Sequence, residues 1–182
     1  MKKIILVVFL CIQLLGVTAS AAEAVPYNLQ SKILIKVLTY ERTLGSEAGE
    51  LIIGILGNPS SNESVAAQNA MFNAIKDIGP FTIQKRPTTV VKLSDPAEKR
   101  IHVLYITPGV EDRLSEVVLY ARDHGILTVS GESSYMDKGI SLGILPYMDQ
   151  KKGTRIVISL KATKAEGADF ASRLLRLATV LK

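Results

Sequence analysis

The residues of this chain best suited to chemistry are two histidines, one serine-rich loop and a glycine-bounded strand end. His102 and His124 are its only histidines, and Cys11 is its only cysteine. His102 opens an extended run. His124 closes a helical one, where an imidazole N–H suits the negative end of the helix dipole. Two histidines could hold a metal together with carboxylates, but their spacing gives no support for a shared site. Ser130-Gly131-Glu132-Ser133-Ser134 follows a strand, at the edge where α/β proteins place ligands. A serine nucleophile needs a base within hydrogen-bond reach and an oxyanion pocket. The G-x-S-x-G elbow is absent, so the loop reads as polar connection. Gly54-Ile55-Leu56-Gly57-Asn58 ends a strand before a helix, an arrangement that can bind anions. It is neither a P-loop nor G-x-G-x-x-G, and reads as a tight strand-to-helix turn. Asp95 reads as a turn residue, and Asp112 and Asp123 as solvated helix charges. No motif specifies catalysis, a metal or a cofactor.

The elements that would position these residues follow from hydrophobic periodicity. Residues 27–44 read as an amphipathic helix with Leu29, Ile33, Leu34, Val37, Leu38 and Leu44 near one face. Residues 50–57 are continuously apolar, as in a strand covered on both faces. Ser60 and Glu63 have capping-box spacing, ahead of a helix facing inward through Val65, Ala66, Met71, Phe72, Ile75 and Ile78. Two short extended runs lie at 81–83 and 89–91, and buried strands at 102–106 and 126–129. Between the last two, a helix from 111 to 123 turns Leu114, Val117, Val118 and Ala121 inward, with Gly125 as its left-handed cap. Residues 140–148 and 155–160 read as a closing hairpin at one sheet edge, and the last segment as a helix. Strand–helix alternation predicts a single three-layer α/β domain, with a mostly parallel sheet flanked by helices and a C-terminal antiparallel hairpin.

The N-terminus carries a different signal. Lys2 and Lys3 precede an apolar run from Ile4 to Val17, and Ala19-Ser20-Ala21 completes an A-x-A pattern. This is the layout of a cleaved secretory signal over residues 1–21. The run is about 14 residues, short of the roughly 20 of a membrane span. Residues 22–182 are then the mature, exported chain, with no membrane insertion after cleavage. Losing Lys2 and Lys3 lowers the net charge from +5 to about +3, without the clustered basic stripe that nucleic-acid binding requires. Losing Cys11 removes every thiol, so the mature chain has no disulfide.

From Leu127 onward the chain resembles the YfiR family of small bacterial periplasmic proteins. The resemblance lies in Leu127-Thr128-Val129-Ser130-Gly131, Lys138-Gly139-Ile140-Ser141-Leu142-Gly143, Arg155-Ile156-Val157-Ile158-Ser159-Leu160 and Ala171-Ser172-Arg173-Leu174-Leu175-Arg176-Leu177-Ala178. Upstream agreement is looser. Ser159 stands where the family usually has asparagine. Its frequent disulfides are absent, so redox control does not carry over. The resemblance implies a non-enzymatic periplasmic regulator that binds and represses a membrane-bound diguanylate cyclase, controlling cyclic di-GMP and biofilm formation. A homodimer is a further expectation from the family. For the partner contact, Tyr147 and Met148 on the hairpin are the expected residues. The alternative is a periplasmic small-ligand carrier or sensor lining a cleft at Gly57 and Ser130. A hydrolase built on the Ser130–Ser134 loop is a more distant rival.

Overall fold

The computed structural model describes residues 24–46, 48–147 and 153–182; the expected export signal of residues 1–21 and Met148 lie outside these residues. The described residues build an eight-stranded sheet in the order β2-β3-β1-β4-β5-β6-β7-β8. Its parallel centre is β3 (Arg86–Leu93), β1 (Leu51–Leu56), β4 (Val103–Ile106), β5 (Leu127–Ser130) and β6 (Leu142–Pro146). Ile53 faces Val90 on one side and Val103 on the other. β2 (Thr82–Ile83) turns back antiparallel onto β3. β7 (Thr154–Ser159) runs antiparallel to β6, and β8 (Thr179–Leu181) closes the order parallel to β7. The expected α/β architecture is present, mostly parallel with its antiparallel pair towards the C-terminus.

Two hydrophobic cores lie on opposite faces of the sheet. One joins Ile53, Ile55, Val103, Val129 and Ile158 to Leu34 and Leu38 of α1 (Tyr27–Leu38) and to Met71 and Ile75 of α2 (Asn62–Lys76). The other joins Leu56, Leu104, Ile106 and Val157 to Leu114, Val117, Val118 and Ala121 of α3 (Leu114–Asp123). The inward face of α3 is the one its periodicity predicts, and Gly125 takes φ +64° as the left-handed cap. Among the described residues there are also three short α-helices: α4 (Ser133–Met136), α5 (Leu160–Ala165) and α6 (Ser172–Leu175).

Four expectations need correction. α1 stops at Leu38 and buries Gln30 and Ser31, leaving Leu29 41% exposed. The rotation is tolerated because Gln30 is hydrogen-bonded at both ends of its amide. α2 is capped by Ser61, one residue later than expected, with its hydroxyl accepting from Ser64 N–H. Its inward face is Ser64, Ala67, Met71 and Ile75, whereas Val65 and Ile78 point outward. The closing hairpin is not the sheet edge, since β8 lies outside β7. The terminal segment is not one helix: Gly167 at φ +73° follows α5, and the chain ends as a strand. Phe170 and Leu174 are core as expected, but Leu177 is 74% and Leu181 37% exposed.

Candidate functional site

The parallel strands end together at one rim, formed by residues 57–61, 107–111 and 130–132. The chain leaves β1 for β3 on one side and later returns as β4 on the other, so the topological switch lies here. The crevice is filled by the protein's own side chains. Asn58 Nδ2 donates to Gly109 O at 2.9 Å, tying the two loops. Thr107 Oγ1 donates to Leu56 O, so the 2.7 Å contact between Thr107 and Ser64 is a donation from Ser64. Ser64 Oγ in turn accepts from Asn58 N–H at 2.8 Å. Gly109, at φ +81°, has room for no Cβ: Ser61 Oγ would lie at 2.7 Å. The Gly54–Asn58 segment therefore forms a closed strand-to-helix turn, as its sequence suggests.

Beside it, Tyr105 and Gln30 form a buried polar bridge beneath Gly131. Tyr105 Oη donates to Gln30 Oε1 at 2.6 Å, while Gln30 Nε2 donates to Val25 O at 2.7 Å. Burial holds the Tyr105 hydroxyl well above the usual phenol range. Replacing Tyr105 with phenylalanine leaves the buried Gln30 Oε1 without this partner. The expected loss is about 1–3 kcal/mol in urea unfolding. A change smaller than the error of the fit would contradict this account.

Three carboxylates line the outer rim. Tyr135 Oη donates to Glu111 Oε1 at 2.7 Å, lowering Glu111 below the usual carboxylate range. The Tyr135 phenol is raised, first by burial and then by that carboxylate. Glu132 is half-buried and shifted upward by burial and by the charges of Glu63 and Glu111. Tyr27 is raised by burial and by Glu132 and Glu63. Sequence reasoning missed this grouping, because its members come from four separate segments. The one available signal was Gln30, a polar residue at the spacing of the buried face of α1.

The expected chemistry of the remaining residues is consumed by structure. Ser130 Oγ donates to Ile106 O at 2.8 Å and accepts from Glu132 N–H. His124 lies at the opposite end of β5, stacked on Tyr120 with ring centroids 4.0 Å apart. Its Nδ1 is 2.8 Å from Tyr120 O, the helix-ending contact its position suggests. No serine–histidine pair forms there. His102 shares with His124 a cavity of about 350 Å³, which Lys99, Arg100 and Tyr120 also line. His102 Nδ1 accepts from Ile52 N–H at 3.1 Å. No group of three histidines or carboxylates able to hold a metal occurs among the described residues. Asp95 caps a 3-10 turn and pairs with Arg113 at 2.8 Å, and Asp112 and Asp123 are exposed. Tyr147 is half-buried just after β6, its N–H donating to Gly153 O; Met148 lies outside the described residues.

Among the described residues, no helix is long and apolar enough to cross a membrane. The fold is similar to that of a conserved domain protein from Vibrio cholerae, with TM-score 0.61 and 13% identity, covering 87% of this chain and 60% of that one. A second likeness is an ABC domain from Streptococcus pneumonia in complex with L-Trp, at 0.59 and 10% identity over 86% and 60%. A third is the ligand-free, open structure of a substrate binding protein with adhesive properties from Clostridium difficile, at 0.53 and 17% identity over 77% and 56%. This chain thus spans less than two thirds of the length of each. No curated protein sequence matches it. A family model matches residues 27–179, from the start of α1 into β8, and by that match the chain belongs to the YfiR/HmsC-like family.

Proposed function

We propose that this protein is a non-enzymatic periplasmic regulator that binds the periplasmic part of a membrane-bound diguanylate cyclase and holds it in its inactive state. The observation carrying this reading is the family match over residues 27–179. The engagement of Ser130, His124 and His102 in structural hydrogen bonds agrees with a role in binding. Export rests on the signal pattern of residues 1–21. Regulation needs only differential affinity: moving a two-state partner from 1:99 to 99:1 takes about 5.5 kcal/mol. An ordinary interface of about 1,600 Å² supplies free energies of that order. The nucleotide itself remains in the cytoplasm.

Tyr147 and Met148 are proposed to contribute apolar contact at the end of the β6–β7 hairpin. Purified mature protein should bind the purified periplasmic part of the cyclase. Replacing both residues with serine should weaken binding about tenfold, with an unchanged melting temperature. Unaltered affinity in a folded double variant would remove the hairpin end from the interface.

The alternative, a small-ligand carrier or sensor, draws on the acidic rim of Glu63, Glu111 and Glu132 beside Tyr27. Such a rim favours a cationic group on the ligand. Thermal stabilisation by an amine-bearing metabolite, lost in Glu132→Gln, would support that reading.

A further inference from the structure

β8 ends the sheet, and among the described residues no strand lies beyond it. An unpaired strand edge offers a row of backbone donors and acceptors to another extended chain. Native proteins commonly blunt such edges with charge, a bulge or a covering element. Here the edge is flanked by outward-facing apolar residues, Leu177 and Leu181.

Thr179 pairs with Val157 in register and Leu181 with Ser159. Thr179 and Leu181 therefore share a sheet face with Val157, which belongs to the α3-side core. On this face a groove of about 360 Å³ runs beside the edge, floored by Leu145, Val157 and Met136 and lipped by Thr179, Leu181 and Arg155. Arg155 Nε is buried without a hydrogen-bond partner, and the salt bridges of the described residues do not include its guanidinium. Lys161, Lys164, Arg173, Arg176 and Lys182 are exposed on or next to α5, α6 and β8. Nearby acids are spoken for: Glu166 is buried against Thr128 and Ser141, and Asp169 pairs with Arg42 at 3.1 Å. Asp137 remains at the outer wall of the groove.

We infer that the β8 edge is a docking site for an extended segment of a partner protein, one that alternates apolar and acidic side chains. The segment adds to β8 as a further strand. Its backbone pairs with the open edge, one apolar side chain enters the groove, and a carboxylate reaches Arg155. Main-chain pairing supplies affinity in this mode, and the pockets for alternate side chains supply specificity. The inference deepens the proposed regulatory reading by naming where the partner binds, but the edge can be tested without that partner.

Selection of random twelve-residue peptides displayed on phage against the folded mature protein decides the matter. Segments alternating apolar and acidic residues should be enriched. Their affinity should fall about tenfold or more in Leu181→Asp and in Arg155→Glu. Val65→Asp, on α2 across the sheet, should bind like the parent, and matching melting curves exclude misfolding. Failure to enrich such segments, or enrichment indifferent to both edge variants, would overturn the inference. The same variants are then measured with the periplasmic part of the cyclase. Cyclase binding that ignores Leu181→Asp and Arg155→Glu overturns the edge as the regulatory interface and leaves the regulatory reading standing. Peptide binding at the edge without cyclase binding keeps the docking site and defeats the cyclase reading.

Discussion

Replacing Glu166 with alanine should destabilise the fold by about 2–4 kcal/mol, as a buried acceptor is withdrawn from donors that have no access to water. Glu166 is buried at the end of α5, where its carboxylate accepts from Thr128 N–H at 3.0 Å and Thr128 Oγ1 at 2.6 Å, and from the Ser141 hydroxyl. It thereby fastens α5 to β5 and to the start of β6. Glutamine keeps most of this geometry. Its oxygen can accept from Thr128 N–H while its amide donates to Thr128 Oγ1. Glu166→Gln should accordingly cost about 1 kcal/mol at neutral pH.

The two variants also separate charge from hydrogen bonding. Burial raises Glu166 above the usual carboxylate range, against the opposing effects of its hydrogen bonds and of Arg122. A carboxyl raised on folding binds its proton more tightly in the native state, so ionisation costs stability. The wild type should then lose stability relative to Glu166→Gln as pH rises from about 4 through the raised value. Urea unfolding of both proteins at pH 4 and pH 8 checks the sign. A gap that moves the other way would mean that the carboxylate is the favoured native form.

Replacing Arg86 with alanine should have an effect at least as large, about 3–5 kcal/mol. Arg86 is 5% exposed, yet its guanidinium is held by carbonyls: Nη1 donates to Leu44 O at 2.8 Å, Nε to Gly49 O at 3.1 Å and Nη2 to Glu50 O at 2.8 Å. These bonds pin the segment leading into β1, an interior strand paired on both sides by β3 and β4. Lysine cannot reproduce the planar fork, so Arg86→Lys should recover only part of the loss. The melting temperature of the alanine variant should fall by roughly 6–20 °C, at 2–4 °C per kcal/mol for a chain of this size. A fall of a degree or two would show that water satisfies those carbonyls.

The sequence was most legible where one physical signal dominated. The unbroken apolar runs of β1 and β4 mark doubly covered strands, and they lie side by side within the sheet. α3 carries a clean amphipathic stripe and a terminal glycine, and its inward face matches residue for residue. Reading failed where polar burial replaced apolar burial. Gln30 and Ser31 lie inside because Val25, Asn28 and Tyr105 offer hydrogen-bond partners that no periodicity reveals. It failed again after Gly167, where a run of leucines suggests a helix. There the pairing of Val180 with Ile158 outweighs local helix propensity. The rim was the least legible feature, because Glu63, Glu111 and Glu132 meet only once α2 packs on the sheet that holds β4 and β5. Arg86 was equally hidden, since nothing in the Arg86-Pro87 dipeptide announces three carbonyl partners from residues 44–50.

The most direct test of the regulatory reading is cellular cyclic di-GMP in the source bacterium, with the gene intact, deleted, and restored as an exported protein. Repression of a cyclase predicts a rise on deletion that periplasmic complementation reverses. An unchanged level under conditions where the protein is made would contradict it and bring the small-ligand reading forward.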